Sequence, residues 1–237
     1  MKTIIEPTKR TESRPHIEAK RSFLVIVYKY PIIFATILFG LYVIAFSLIE
    51  EMEPPVVNLI DLQIDHLIPF TKYASLLYCM WHLEILAVLV DFLRRKDREG
   101  FWNLTVKMIA GLFLILLICI IFPNEVALRP DAVEGNDFFA QLTRLVYSLD
   151  NSRNVFPSGH ALCATLMFQS LYRIYRKPWQ ITLNAALNTG IILSTMFLKQ
   201  HSMIDLPAGI VLALIIDKLV EYTYQKSSAR IRASQKS

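Results

Sequence analysis

The sequence predicts an all-α polytopic membrane protein, a bundle of six transmembrane helices. Three observations carry that prediction. The 237 residues are 54% apolar, above the ~45–50% usual for a soluble domain. The excess is gathered into runs of about 17–21 residues, enough to cross a hydrocarbon core of ~30 Å. The lysines and arginines cluster at alternate ends of those runs, where the positive-inside rule puts cytoplasmic loops.

The elements follow in order. Residues 1–22 read as a basic cytoplasmic tail carrying Lys2, Lys9, Arg10, Arg14, Lys20 and Arg21. The first helix is expected over Pro31 to Ile49, closed by Glu50, Glu51, Glu53 and Pro54-Pro55, since proline cannot continue a helix. The stretch to Lys72, with Asp61 and Asp65, reads as an outside loop, partly amphipathic. A second helix over Tyr73 to Leu93 ends at Arg94-Arg95-Lys96-Asp97-Arg98, an inside signal. A third covers Leu104 to Phe122. Pro123 to Phe156 reads as a long polar loop, uncommon in a compact protein unless it is functional. A fourth helix, Ser158 to Tyr175, is followed inside by Arg176 and Lys177; a fifth, Trp179 to Leu198, leads into the turn Lys199-Gln200-His201-Ser202. The sixth, Met203 to Tyr224, precedes a second basic tail over 226–237. The membrane domain thus spans 23–225, with both termini cytoplasmic.

Charge and cysteines exclude other classes. The net charge of +5 sits at the ends of apolar runs, which argues for membrane topology and against nucleic acid as a partner. Cys79, Cys119 and Cys163 all fall inside apolar runs, so buried free thiols are expected rather than a disulfide framework. Asn103-Leu104-Thr105 matches a glycosylation sequon but falls at the cytoplasmic end of the third helix.

Three short segments place chemically capable residues at the outer ends of spans: Leu128-Arg129-Pro130, Phe156-Pro157-Ser158-Gly159-His160, and His201-Ser202-Met203-Ile204-Asp205. The topology sets all three on one side of the membrane before any is read for chemistry. His201 and Asp205 share a helical face at i, i+4. A carboxylate there fixes the imidazole's tautomer and presents the other ring nitrogen as nucleophile or base. The same pair alone would also suit a locally bonded histidine with no catalytic task, but ionisable residues in spans are expensive and point to function. Ser158 and Gly159 open the fourth helix with N–H groups expected to face an anion. His160 is placed to protonate a leaving oxygen, and Arg129 is a natural phosphate ligand. Lys199 is a further candidate contact, ahead of Arg144 and Arg153. His66 and His82 have no partner at useful spacing; they read as loop surface and helix packing.

These segments resemble the type 2 phosphatidic acid phosphatase superfamily, which carries Lys-x6-Arg-Pro, Pro-Ser-Gly-His and Ser-Arg-x5-His-x3-Asp. The second motif is complete at Pro157 to His160, the third matches at Ser194, His201 and Asp205, and the first at Arg129 and Pro130. The resemblance covers roughly residues 70 to 220. Two positions depart: the family lysine falls on Phe122 and the family arginine on Thr195. The stretch Tyr147 to Ser158 and the Lys199-Gln200-His201 turn resemble the branch that includes the inositol phosphorylceramide synthases, where those two positions also vary.

The resemblance implies that His201, held by Asp205, attacks phosphorus and that His160 protonates the departing group. A phosphohistidine forms and is then resolved. Arg129, Ser158, Gly159 and Lys199 would stabilise charge on the phosphoryl oxygens, with no metal and no cofactor. The implied partners are a lipid phosphate and the surrounding lipids. The expected activity is a lipid phosphate phosphatase, on phosphatidic acid, phosphatidylglycerol phosphate or a polyprenyl diphosphate. A lipid phosphotransferase using an alcohol acceptor is the alternative, and a non-enzymatic membrane protein or transporter the remote one.

The topology is directly testable. A reporter that is active only outside the cytoplasm should work when fused within 123–156 and fail when fused within 94–100. The reverse pattern would refute the orientation.

Overall fold

The computed structural model describes residues 26–234 other than Tyr28, with side chains up to Lys226. The basic tail over 1–22 lies outside the described residues. The chain is mostly helical: α1 (Pro31–Glu50), α2 (Gln63–Leu67), α3 (Ala74–Arg94), α4 (Arg98–Ile121), α5 (Phe138–Leu149), α6 (Gly159–Ile174), α7 (Pro178–Phe197) and α8 (Asp205–Ser234). Two short strands, β1 (Asn58–Leu59) and β2 (Asn124–Glu125), pair in parallel with Asn58 opposite Asn124.

Three helices are long and apolar enough to cross a membrane: α1 with 20 residues, α3 with 21 and α4 with 24. The other long helices sit where spans were expected, but their composition does not make them candidates by the same measure. The reason is physical. Helix α6 has only 16 residues, against ~20 for a full crossing. Asn184, Asn188, Ser194 and Thr195 of α7 and Asp217 of α8 are buried, so their polar groups face protein and lower the apolar content without facing lipid.

Boundaries moved where capping outweighs hydropathy. Helix α4 begins at Arg98, not Leu104, because the Asp97 side chain accepts from the Gly100 N–H at 2.8 Å, satisfying one of the orphan donors of a helix start. Helix α8 runs to Ser234, past the expected end at Tyr224. The loop expected over 123–156 contains β2 and the amphipathic α5, capped by Asp137, whose Oδ1 accepts from Phe139 and Ala140 N–H groups. Its inward face is Ala140, Thr143 and Val146. All three cysteines are free.

The main core lies among α1, α3, α4, α6 and α8 and includes Phe92, Phe101, Met108, Leu112, Leu162, Leu166 and Ile216. Helix α1 contributes little, burying only Pro31 and Ala35. A charged cluster joins three helices inside the bundle. Lys107 of α4 bonds Asp217 at 2.7 Å and Glu221 at 2.8 Å on α8, and Arg173 of α6 bonds the same two carboxylates. Asn103, the sequon residue, is helical and donates to Glu221 at 3.4 Å.

Helices α6 and α8 meet most closely at Gly209. A Cβ there would lie 2.4 Å from the Ser158 carbonyl oxygen, a backbone atom that cannot swing away. At Gly190 of α7, a Cβ would meet nothing closer than Leu77 at 3.5 Å, ordinary contact. Gly209→Ala should therefore cost about 1–3 kcal/mol as overpacking. Gly190→Ala should be neutral or slightly stabilising, because Ala favours helix over Gly by up to ~1 kcal/mol. Melting of the two variants in detergent checks this; equal behaviour would disprove the close approach.

Candidate active site

Two helix starts and one turn build the site. Ser158 is the N-cap of α6, its Oγ accepting from the Ala161 N–H at 3.2 Å. That sets His160 at the second position of the helix, 6% exposed. Its ring packs against Tyr78 (centroids 4.3 Å apart) and Trp81 (4.2 Å), which share one face of α3. The His160 Nε2 is buried and makes no hydrogen bond.

Helix α7 ends in a Schellman arrangement. The Gln200 N–H donates to the Thr195 carbonyl at 2.9 Å and the Lys199 N–H to the Met196 carbonyl at 3.0 Å, the paired bonds of that motif. The position that usually takes glycine is Lys199, at φ 57°. The chain then reverses, and Asp205 opens α8. His201 therefore lies in the expected turn, ahead of the helix on which the i, i+4 spacing would pair it with Asp205. The pairing survives because the 202–205 turn curls like a first helical turn, with the Asp205 N–H on the Ser202 carbonyl at 3.1 Å. His201 Nδ1 lies 3.1 Å from Asp205 Oδ2, which also accepts from the Ser202 N–H at 2.9 Å. That leaves Nε2 as the imidazole's free nitrogen.

The two halves are stitched by backbone. The Ser158 N–H donates to the Asp205 carbonyl at 3.2 Å, so it is not open to an anion as expected; the helix-start N–H groups of Gly159 and His160 remain. The His160 and His201 rings stand 5.7 Å apart at 70°. Asp205 Oδ1 is buried without a partner.

Arg129 is held beside this pair by neutral acceptors. It donates to the Tyr147 carbonyl at 3.3 Å, to the Asp150 carbonyl and to Gln200 Oε1, and stacks 4.2 Å over the Tyr147 ring. Burial pulls its pKa below the ordinary arginine value, and nearby Asp150 opposes that shift. The Asp150 carboxylate accepts from the Tyr78 hydroxyl, which links Arg129 to the ring stacked on His160. Burial pushes the Tyr147 phenol up to about 12, so it stays protonated and donates to the Leu198 carbonyl at 2.7 Å.

Lys199 is buried, and its Nζ donates to the Asp65 carbonyl at 2.5 Å. Burial lowers its pKa from the usual lysine range, opposed by the charge of Asp65. Phe122 packs edge-on against Phe156, and Thr195 Oγ1 bonds the Ile192 carbonyl within its own helix. Neither position brings a cation. His66, read as unpartnered, is exposed and pairs with Asp61 at 3.1 Å. Arg144 bonds the Val133 and Gly135 carbonyls, and Arg153 faces Glu125. Sequence reading missed Asp65, Tyr78, Asn124, Asp150 and Gln200. None carried a local signal: Asp65 stands among other polar residues, Asp61, Gln63 and His66, and the others have distant partners.

A family model described as the PAP2 superfamily matches residues 55–219, well over half of the chain. The chain belongs to the PAP2 superfamily. No curated protein matches it. The match takes in every site segment above and begins ahead of the expected start near residue 70, so it includes β1 and α2 but not α1. Membership points to a phosphatase-type or related lipid phosphate enzyme, and three apolar helices are consistent with a membrane protein.

The Arg129 contacts can be probed without substrate. Arg129→Ala takes a donor from three acceptors, of which the Asp150 carbonyl keeps Gln200 Nε2; a buried acceptor left without a partner costs about 1–3 kcal/mol. Amide hydrogen exchange should then rise across 145–153 while α4 keeps its protection. Unchanged exchange in that segment would mean the guanidinium does not hold it.

Proposed function

We propose that the protein is a lipid phosphate phosphatase working through a phosphohistidine on His201, at the extracytoplasmic face of a six-span bundle. The observation that carries this is the convergence of His160, His201 and Asp205 at one end of the bundle, with a cation alongside. In this reading His201 Nε2 attacks phosphorus while the bond to the lipid oxygen breaks. His160 gives that oxygen its proton. Water, deprotonated by His160, then attacks the phosphohistidine, the P–N bond breaks and phosphate leaves. Asp205 stabilises the imidazolium that forms. Arg129 and the first N–H groups of α6 stabilise phosphoryl charge, with Gly159 nearest the reacting group and Ser158 shaping the helix start. Lys199, anchored on Asp65, contributes positive charge. The acidic segment before α3 and the 123–156 segment face outward, and the basic turns at 94–98 and 173–177 face the cytoplasm.

One observation favours a second reading. Phe122 and Thr195 remove two cations, and a phosphodiester, with one negative charge, needs fewer than a phosphomonoester with two. A diester substrate and an alcohol acceptor would make the protein a phosphotransferase, as the resemblance of the 199–201 turn to inositol phosphorylceramide synthases suggests. Release of inorganic phosphate separates hydrolysis from transfer.

The histidines test the mechanism. His201→Ala should abolish turnover and acid-labile phosphoenzyme. His160→Ala should lose ~10²–10⁴-fold with a lipid alcohol as leaving group and much less with p-nitrophenolate, which departs unprotonated. Asp205→Asn should fall between them. Phosphoenzyme persisting in His201→Ala, or equal slowing of His160→Ala on both leaving groups, would overturn these roles.

A further inference from the structure

The geometry points to Asp65 as the positioning residue that sets the nucleophile His201, acting from outside the motif segments; this rests on the function proposed above. Asp65 is 1% exposed and sits in the five-residue helix α2, far from His201 in sequence. Its carboxylate accepts the Ser202 hydroxyl at 2.6 Å and the Leu62 N–H at 2.7 Å through Oδ2, and the Met203 N–H at 2.8 Å through Oδ1. Its carbonyl accepts Lys199 Nζ at 2.5 Å. Three of these four bonds reach the 199–203 turn, and they bracket His201 on both sides without touching it.

That pattern differs from general packing. Asp205 fixes the ring of His201 and the Ser202 amide after it, and the Thr195 carbonyl accepts the His201 N–H at 3.3 Å, but neither reaches Lys199 or Met203. The N–H groups of Lys199, Gln200 and His201 bond back to the end of α7, and Lys199 holds a left-handed conformation that a non-glycine residue adopts at a cost of about 1–3 kcal/mol. Such a conformation persists where its surroundings over-determine it. Asp65 adds to the α7 end bonds a side-chain constraint, through the Lys199 ammonium on one side and through Ser202 and Met203 on the other. The Leu62 bond ties the carboxylate to its own helix start, so the clamp is rigid at both ends. A nucleophile displaced by about 1 Å loses ~10²-fold in rate, so a clamp on the turn acts on turnover more than on binding.

The test uses purified full-length protein in detergent, with Asp65→Ala, Asp65→Asn, Ser202→Ala and the Asp65→Ala/Ser202→Ala double variant. On a lipid phosphate, Asp65→Ala should lose about 10²-fold in kcat with KM within about twofold. Asp65→Asn should recover part of that, since its carboxamide oxygen still accepts from Met203. The double variant should be no worse than Asp65→Ala alone, because Ser202 acts through Asp65. Nitrogen-15 spectra of labelled histidine, with His201 assigned by its loss in His201→Asn, should show the His201 nitrogens moved in the Asp65 variants. A residue that only stabilises the fold would lower the melting temperature and leave those signals and the kcat of folded protein alone. That result, or a raised KM at unchanged kcat, overturns the inference; if Asp65→Ala does not fold, the same criteria apply to Asp65→Asn. Should wild type turn over no lipid phosphate, the proposed function fails while the histidine spectra still decide the role of Asp65.

Discussion

The site depends on how closely the starts of α6 and α8 approach. The Ser158 amide reaches the Asp205 carbonyl, and Gly209 removes the Cβ that would otherwise strike the Ser158 oxygen. Once these two backbones are in register, His160 is set by its place in α6 and Asp205 by its place in α8. Asp205 then orients His201. The contact is between main chains, which have no rotamers to lose once the helices are formed. His160 and Asp205 are thus placed by the scaffold before any side-chain bond is counted.

That scaffold must be held elsewhere as well, because two helices crossing at one end can still splay at the other. The cluster of Lys107, Arg173, Asp217 and Glu221 ties α4, α6 and α8 away from the site. Charges buried this way return little net stability, since desolvation offsets attraction, but losing one partner strands the rest. What the cluster provides is a fixed helix register. A second polar set, Asn188 bonded to Glu84 at 2.8 Å and to Asn184, does the same between α3 and α7. The helices that bear these groups are the inner ones, whereas α1, free of charge until Glu50, is the most lipid-like and the least buried.

This also explains what the sequence could and could not reveal. Apolar runs located the long helices to within a few residues, except at the start of α4, where the Asp97 cap acts ahead of the hydropathy, and at the end of α8, which runs ten residues past the expected Tyr224. Helix α5 was hidden because its twelve residues are too few for a span, the only helix length that apolar runs indicate. The places of His160 at a helix start and of His201 beside Asp205 were legible because their spacing within short segments already implied them, whereas Arg129 stood out only as a cation at the outer end of a span. Asp65, Asp150 and Gln200 were not, because their partners lie far along the chain: Ser202 for Asp65, Tyr78 for Asp150, Arg129 for Gln200. Local periodicity carries no information on such pairings. The departures at Phe122 and Thr195 were visible, but only the structure shows both positions filled by packing and local bonding with no cation in their place.

The remaining question is how a guanidinium already bonded to protein would meet a phosphate. The acceptors around Arg129 are two main-chain carbonyls and one side-chain amide, all neutral. Those bonds are already charge-assisted through the guanidinium, but a phosphoryl group adds its own negative charge and can be held by two parallel bonds, so exchange favours the anion. The carbonyls of Tyr147 and Asp150 are fixed by α5 and its C-terminal turn, but the Gln200 amide is on a rotatable side chain. Releasing Arg129 costs Gln200 one bond, and its Nε2, now on Asp150, is a donor that an arriving anion can use. Arg129 Nε, buried and unpartnered, is a second unused donor. With no lysine at 122 and no arginine at 195, the donors left to a phosphate in the proposed reading are Arg129, the Gln200 amide and the first N–H groups of α6, a set that would suit a phosphoryl group of small charge.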